Sequence, residues 1–336
     1  MIRPRRLAPG DLVALVAPAG PVTESQATDA AEILKTWGLR THRGPHALGR
    51  RSFLSGTDDE RRSDLEAAFR NPEVRGILCL RGGYGTQRIV DHLDYDAVRA
   101  DPKLVIGFSD ITALHLALWH EAGLATVHGP TGSTLLNDPP TTAAARQSLT
   151  TTTPLTLTAP PPIDTSRTLT AAPPTPIDTS RTLTAAPDPS RTATPPLPAT
   201  DDAPMNVHHP GQAHGTLLGG NLTLLAATTG TRHQPDLTGA ILLIEEVNEA
   251  AYRVDRMIVQ LKRSGWFEGL AGVAVGSFTA CPGADQVLAE HLNSSGIPVL
   301  ANLPIGHGRT QMAVPLGVPA HLNADTGTLT VEPAVH

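Results

Sequence analysis

Leu104-Val-Ile-Gly-Phe-Ser-Asp-Ile-Thr-Ala-Leu-His-Leu-Ala-Leu-Trp119 changes character at Ser109. Before it, Leu104–Phe108 is a short apolar run of strand length; after it, Ile111–Trp119 reads as an apolar-rich helix. A buried strand feeding directly into a helix is the building unit of a parallel α/β sheet. Leu12–Ala17, Gly76–Leu80 and Thr126–His128 are apolar runs of the same kind. Between them, Thr23-Glu-Ser-Gln26 and Thr57-Asp-Asp-Glu60 fit the capping box, in which side chains at both ends satisfy orphan N–H groups reciprocally. Gly38 and Gly123 follow helical stretches, where a left-handed C-terminal turn wants glycine. Strands alternating with capped helices predict a parallel sheet covered on both faces.

Past this region the composition shifts. Pro, Thr and Ala dominate residues 137–205, and Pro162–Pro173 recurs as Pro176–Pro187, a period of 14, with a degenerate third copy at Asp188–Thr194. That period matches no solenoid repeat, and proline blocks both a helix interior and a central strand. The stretch reads as a tandemly expanded linker, flexible or partly polyproline II, with Pro161–Pro198 as a surface excursion. Order resumes at His214-Gly-Thr-Leu-Leu-Gly-Gly-Asn-Leu222. A strand Ile241–Val247, a helix Glu249–Arg263, a strand Ala271–Phe278, a helix Ala284–Leu292, the run Pro298–Leu303 and a hairpin around Asp325-Thr-Gly327 follow. The predicted organisation is an α/β domain over 1–136, a linker over 137–205 and a mixed second domain over 206–336.

Composition removes several classes of function. The 336 residues are 40% hydrophobic, enough for a sizeable core, and carry a formal charge of −6. Nucleic-acid binding would need clustered positive charge, and no Lys/Arg run follows the first few residues. Cys79 and Cys281 each lie beside a strand-like run and read as small buried residues, neither a disulfide framework nor a zinc site. The basic start Met1–Arg6 and the run Leu12–Ala17 superficially resemble a signal peptide, but Pro9, Gly10 and Asp11 interrupt the approach. No stretch reaches the roughly 20 apolar residues of a membrane span. The expectation is a soluble, cytoplasmic protein without membrane contact.

Four places carry candidate chemistry. Ser109 sits at a strand-to-helix turn, which exposes a nucleophile at the positive end of a helix dipole; the same position also suits a plain helix cap. The N–H of Asp110 would face a developing oxyanion. Ile111 stands where a G-x-S-x-G elbow has its second glycine, which argues against an α/β-hydrolase. Arg81-Gly-Gly-Tyr-Gly85 permits close backbone approach, yet has neither the dinucleotide spacing nor the Walker lysine. Glu245-Glu246 ends a strand, where one acid could orient a histidine, and His307 lies in the glycine-flanked loop Pro304-Ile-Gly-His-Gly-Arg309. His208, His209 and His214 cluster without an acid or cysteine to complete a metal set.

Together these fragments resemble the LD-carboxypeptidase (muramoyltetrapeptide carboxypeptidase) family of serine peptidases, whose relatives include microcin C immunity peptidases. The matching stretches are Gly10–Ala19, Arg81–Gly85, Ile106–Asp110, His128-Gly-Pro130, Gly219-Gly-Asn-Leu222, Leu243–Val247 with Tyr252–Arg256, and Leu303–His307. They keep family order and cover nearly everything except the repeats. The resemblance implies an N-terminal flavodoxin-like α/β domain, a smaller mixed, β-rich C-terminal domain and an active site between them, with homodimers as the family habit. It implies a triad of Ser109, Glu245 and His307, with oxyanion donors at Asp110 and Gly83, and no metal or organic cofactor. The implied substrate is a small murein tetrapeptide, cut to release terminal D-alanine. Its carboxylate needs a cation, for which Arg81 and Arg88 are candidates, with Asn221 a further substrate-binding candidate. Two other readings stand beside it: cleavage of aminoacyl-nucleotide antibiotics, and a non-catalytic ligand-binding protein. Two departures are visible, the expanded repeats and Glu246 where the family commonly has Asp.

Overall fold

The computed structural model of the protein describes residues 1–160 and 205–336. The excursion read over Pro161–Pro198 lies outside the described residues. In chain order the first half runs β1 (Leu12–Val16), α1 (Glu24–Thr36), β2 (Arg40–Arg43), α2 (Asp58–Arg70), β3 (Val74–Cys79), α3 (Tyr95–Ala100), β4 (Leu104–Gly107), α4 (Thr112–Ala122), β5 (Thr126–His128), α5 (Pro139–Thr150) and β6 (Leu155–Thr158). The second half follows as β7 (His208–His209), β8 (Gln212–Asn221), α6 (Leu222–Thr228), β9 (Ile241–Val247), α7 (Ala251–Arg263), β10 (Gly272–Thr279), α8 (Ala284–Leu292), β11 (Val299–Leu300), β12 (Val314–Leu316), β13 (Val318–Asn323) and β14 (Thr328–Val331).

Both predicted capping boxes form: Thr23 with Gln26 opens α1, and Thr57 with Glu60 opens α2. Gly123 closes α4 in the left-handed conformation at φ +61°. The strands of the first half assemble in the order β12-β5-β4-β3-β1-β2, and β1 to β5 are all parallel. The order 2-1-3-4-5 is flavodoxin-like, with its topological switch point between β1 and β3. The second sheet is mixed, in the order β6-β14-β13-β8-β9-β10-β11-β7. Its centre, β8 to β11, is parallel, while β13, β14 and β6 add an antiparallel flank.

The halves exchange strands. β12, from the second half, pairs antiparallel with β5 at the edge of the first sheet. β6, from the first half, pairs with β14 at the edge of the second. Ile106 and Val127 from the first sheet share one buried cluster with Leu217 and Leu243 from the second and with Ile305 in the loop after β11. That continuous core fixes the two sheets against each other.

Residues 139–158 correct the predicted linker boundary. Asp138 caps α5 by accepting the Thr141 N–H, and Pro139 and Pro140 occupy its first turn, where a missing N–H leaves nothing unsatisfied. In β6, Leu155 and Leu157 are buried while Thr156 and Thr158 face solvent. Proline breaks helix interiors, not first turns, so the composition alone misled. Cys79 and Cys281 are free and buried, and burial pushes their thiols up to about 12 and about 11. No helix among the described residues is long and apolar enough to cross a membrane.

Candidate active site

The parallel strands of the first sheet all deliver their following loops to one edge, and three of those loops meet there. β4 ends at Gly107, and the chain turns through a 3₁₀ segment, Ser109–Ile111, into α4. Ser109 takes φ +64°, a left-handed conformation that a non-glycine residue adopts only under local constraint. Neither the turn nor α4 is capped by a side chain, so Ser109 does not serve as the helix cap that its position also allowed. Its hydroxyl makes no hydrogen bond among the described residues.

The glycine-rich loop after β3 runs directly against this turn. A Cβ on Gly82 would lie 2.8 Å from Ser109 Cβ and 3.2 Å from its Oγ, so only glycine fits there without displacing the serine. Gly83 is the next residue along, at φ +111°. A Cβ on it would meet the Gly20 backbone at 3.3 Å rather than Ser109. The N–H groups of Gly83 and Asp110 donate to no other group among the described residues. The buried Asp110 carboxylate accepts the Thr86 N–H at 2.8 Å, fastening the end of the glycine-rich loop to the serine turn. Burial holds its pKa above the ordinary range in spite of that bond. Arg61, also buried, donates to Gly85 O at 2.9 Å and to Pro18 O, tying together the loops after β3 and β1.

From the second sheet, β9 carries Glu245, fully buried, and the loop after β11 carries His307, partly exposed. His307 Nδ1 donates to Glu245 Oε2 at 2.6 Å. Gly306, at φ +101°, lets the chain pass directly over Glu245, where any Cβ would run into the carboxylate. Ser277 on β10 holds the same loop: its N–H donates to Ile305 O at 2.8 Å, and its Oγ accepts the Gly308 N–H at 2.9 Å. Burial alone would discharge the imidazole, but the Glu245 carboxylate outweighs it and raises the His307 pKa above its ordinary value. Burial likewise opposes ionisation of Glu245, and the facing imidazole overcomes it, leaving the carboxyl below its usual range. The two shifts have one cause, since each group favours the charged form of the other.

The sheets meet at Phe108 and His307, whose ring centroids are 4.7 Å apart. Ser109 follows Phe108 directly, so this contact brings the serine turn to the imidazole. His307 Nε2 carries no hydrogen bond among the described residues.

Glu246, one residue on, turns the other way. It accepts Asn221 Nδ2 at 2.9 Å, and both Thr223 N–H and Thr223 Oγ1 at 2.8 Å. Asn221 is buried, caps α6 through the Leu224 N–H and donates to Glu246, so its amide is engaged within the second sheet. Arg88 pairs with Asp58 at 2.8 Å. Arg81 is exposed beside the glycine-rich loop, with one Nη on Pro21 O at 2.7 Å.

Sequence reasoning missed Gly82, Arg61 and the Phe108–His307 contact, all of which depend on tertiary approach. It also passed over His128, buried at the end of β5 with neither ring nitrogen partnered, and His115, whose Nε2 meets Gly107 O at 2.8 Å. Burial depresses them to about 4 and about 3, so both stay neutral. Among the described residues no group of His, Cys, Asp and Glu is placed to hold a metal ion.

Family models match both halves of the chain. Residues 13–129 match the LD-carboxypeptidase N-terminal domain, and residues 214–322 match its C-terminal domain. The chain is 41% identical to a candidate carboxypeptidase of Streptomyces coelicolor, over 99% of this chain and 96% of that one. It is 32% identical to a murein tetrapeptide carboxypeptidase of Pseudomonas aeruginosa, over 93% of each. The crystal structure of an MccF-like protein from Bacillus anthracis superposes with a TM-score of 0.80 at 26% identity, covering 99% of this chain and all of that one.

Proposed function

The chain belongs to the LD-carboxypeptidase family of serine peptidases, and from that premise we propose that Ser109, His307 and Glu245 together hydrolyse the L,D-peptide bond that holds terminal D-alanine on a murein tetrapeptide. The observation that carries the reading is the His307–Glu245 bond of 2.6 Å, held at the Phe108 end of the serine turn.

In this mechanism His307 Nε2 takes the Ser109 hydroxyl proton as Oγ attacks the scissile carbonyl. Glu245 fixes the tautomer, with Nδ1 protonated, and stabilises the imidazolium that forms. The N–H groups of Asp110 and Gly83 serve the tetrahedral oxyanion, each such donor contributing about 3–4 kcal/mol to the transition state. The C–N bond then breaks, His307 returns the proton to the departing D-alanine amine, and the acyl chain remains on Ser109. Water, deprotonated by His307, cleaves that ester and restores the serine. Arg81, exposed beside the loop, is the cation for the substrate carboxylate. A role in cytoplasmic murein recycling, carried out by a homodimer, is proposed together with this chemistry.

The test is release of D-alanine from a purified murein tetrapeptide. Ser109→Ala lowers kcat by about 10⁶-fold while the folded protein survives, since removal of a triad nucleophile has effects of that order. Retention of a tenth of the wild-type rate removes Ser109 from the mechanism. A second reading, cleavage of aminoacyl-nucleotide antibiotics, draws on the likeness to the MccF-like structure, MccF being a microcin C7 self-immunity protein. Running both substrates on one preparation separates the two.

A further inference from the structure

A cavity of about 630 Å³ opens at the same sheet edge, lined by Gly20, Pro21, Arg50, Ser52, Phe53, Arg81, Gly83 and Tyr84. It occupies the switch-point crevice between the loops after β1 and β3, the place where open α/β sheets receive ligands. Gly83 belongs to its wall, and the preceding residue, Gly82, faces Ser109 so closely that a Cβ on it would lie 2.8 Å from Ser109 Cβ. The cavity therefore adjoins the serine turn.

Its lining is unusual for this chain. The protein carries a formal charge of −6, yet two arginines and no acid line the cavity. Arg50 is exposed and makes no ion pair among the described residues. Arg81 spends one Nη on Pro21 O and keeps its other donors available. Phe53 and Tyr84, 59% and 49% exposed, meet edge to face with centroids 5.6 Å apart. Exposed aromatic rings paired at a cavity rim beside two guanidinium groups suit a ligand with both an anionic and an apolar part.

The aromatic wall is built rather than loosely displayed. Arg51 and Leu54 exchange both backbone hydrogen bonds, at 2.8 and 3.0 Å, closing a tight turn around Ser52 and Phe53. Ser52 takes φ +56° inside it, and Leu54 is buried beneath. Ser55 N–H donates to Ala19 O at 3.0 Å, clamping the turn to the loop after β1. Phe53 is thus held out into the cavity mouth by its own backbone, an ordering that a bound ligand need not supply.

We infer that Arg50, with Arg81 and the Phe53–Tyr84 pair, forms a subsite that binds a carboxylate of the peptide substrate and packs the adjoining aliphatic segment against the rings. The inference rests on the peptidase reading and deepens it. Arg50 supplies the charge-assisted hydrogen bond, and the rings exclude water from it.

Binding of a murein tetrapeptide to the Ser109→Ala protein, measured calorimetrically, tests the subsite without turnover. The peptide is compared with its C-terminal amide and with a form amidated at its internal carboxylates. Arg50→Gln is expected to weaken the free acid by about ten- to a hundred-fold, the usual worth of a hydrogen bond to a charged group. The same substitution moves one of the amidated forms by less than about threefold, and that form identifies the carboxylate bound. Phe53→Ala weakens all three peptides alike. Equal effects of Arg50→Gln on acid and amides, or no binding of any peptide, overturn the subsite. The peptidase reading fails separately, if wild-type protein releases no D-alanine while the acid preference and its loss in Arg50→Gln persist.

Discussion

Glu245 and Glu246 are neighbours on β9 with opposite allegiances: one carboxylate accepts His307 Nδ1 at 2.6 Å, while the other accepts Asn221 at the end of β8 and Thr223 in the first turn of α6. Side chains alternate across a strand, so adjacent acids cannot both face one site. Glu245→Gln removes the charge that holds the imidazolium and is expected to lower kcat/KM by about 10³–10⁴-fold, as loss of the orienting carboxylate does in other triads. Glu246→Gln leaves the imidazole alone and weakens accepted bonds that fasten α6 to β9. Its expected signature is a stability loss of about 1–3 kcal/mol with kcat within tenfold of wild type. A larger kcat loss for Glu246→Gln than for Glu245→Gln reverses the assignment.

Much of this was legible in the chain, for identifiable reasons. Ile241–Val247 and Ala284–Leu292 fall on their expected bounds because apolar runs and clear flanks mark them. The capping boxes at Thr23 and Thr57 were explicit. By contrast β2, Arg-Thr-His-Arg, is a mostly exposed edge strand with no apolar alternation to find. β12 joins β5 from some 190 residues away, a pairing that no local pattern encodes. The signals for α5 and β6 were present but outvoted: Asp138-Pro-Pro is a helix start, and Leu155-Thr-Leu-Thr158 alternates with period two. At the site, the family resemblance singled out Ser109, Glu245 and His307 where residue types alone left alternatives open, whereas Gly82, Arg61 and Phe108 matter only through what folds against them.

The reassignment of residues 139–158 has a direct stability test. Leu157 is buried at 3% exposure in β6, and its register partner on β14 is Leu329, fully buried. Leu157→Ala is expected to destabilise the protein by about 2–5 kcal/mol, the range for leucine truncation in a packed core. Chemical denaturation measures it. A change below about 0.5 kcal/mol means that β6 is not held in the sheet.

The pH dependence follows from the opposed shifts of His307 and Glu245. His307 must be neutral to accept the serine proton, and its pKa is raised above 6.5 because the Glu245 carboxylate outweighs burial. The acid limb of kcat/KM is therefore expected above pH 6.5, and Glu245→Gln moves it downward. Stability runs the other way. The lowered Glu245 contributes above its unfolded value of 4.5, and the raised His307 contributes below its unfolded value of 6.5 and is lost as pH climbs through the folded one. The melting-temperature gap between wild type and His307→Gln should be widest between pH 4.5 and 6.5 and shrink above it. An acid limb below pH 6 in the wild type, unmoved by Glu245→Gln, contradicts the pairing. His115 and His128 do not compete for this limb, because burial keeps both neutral throughout it.

Gly82→Ala isolates the approach of the glycine-rich loop to the nucleophile. Gly82 does not use a positive φ, so alanine brings no backbone strain of its own. What it brings is a methyl group 2.8 Å from Ser109 Cβ and 3.2 Å from Phe108 O, and neither is the far end of a flexible side chain. Either the loop retreats or the serine turn does. The loop is pinned on both sides, by Gly20 N–H donating to Gly82 O at 2.9 Å and by the Asp110–Thr86 bond at 2.8 Å. Ser109, already at a left-handed φ, has less backbone freedom still to absorb the shift. A displacement near 1 Å at a reacting atom lowers the rate by about 10²-fold, and that is the expected fall in kcat. Because the collision is local, the melting temperature should drop by only a few degrees, and labelling of Ser109 by a fluorophosphonate should slow in parallel with kcat. Wild-type kcat and labelling in Gly82→Ala would show that the loop yields freely and does not position Ser109. A collapse in melting temperature with an unaltered labelling rate in the surviving folded fraction would assign Gly82 to packing alone.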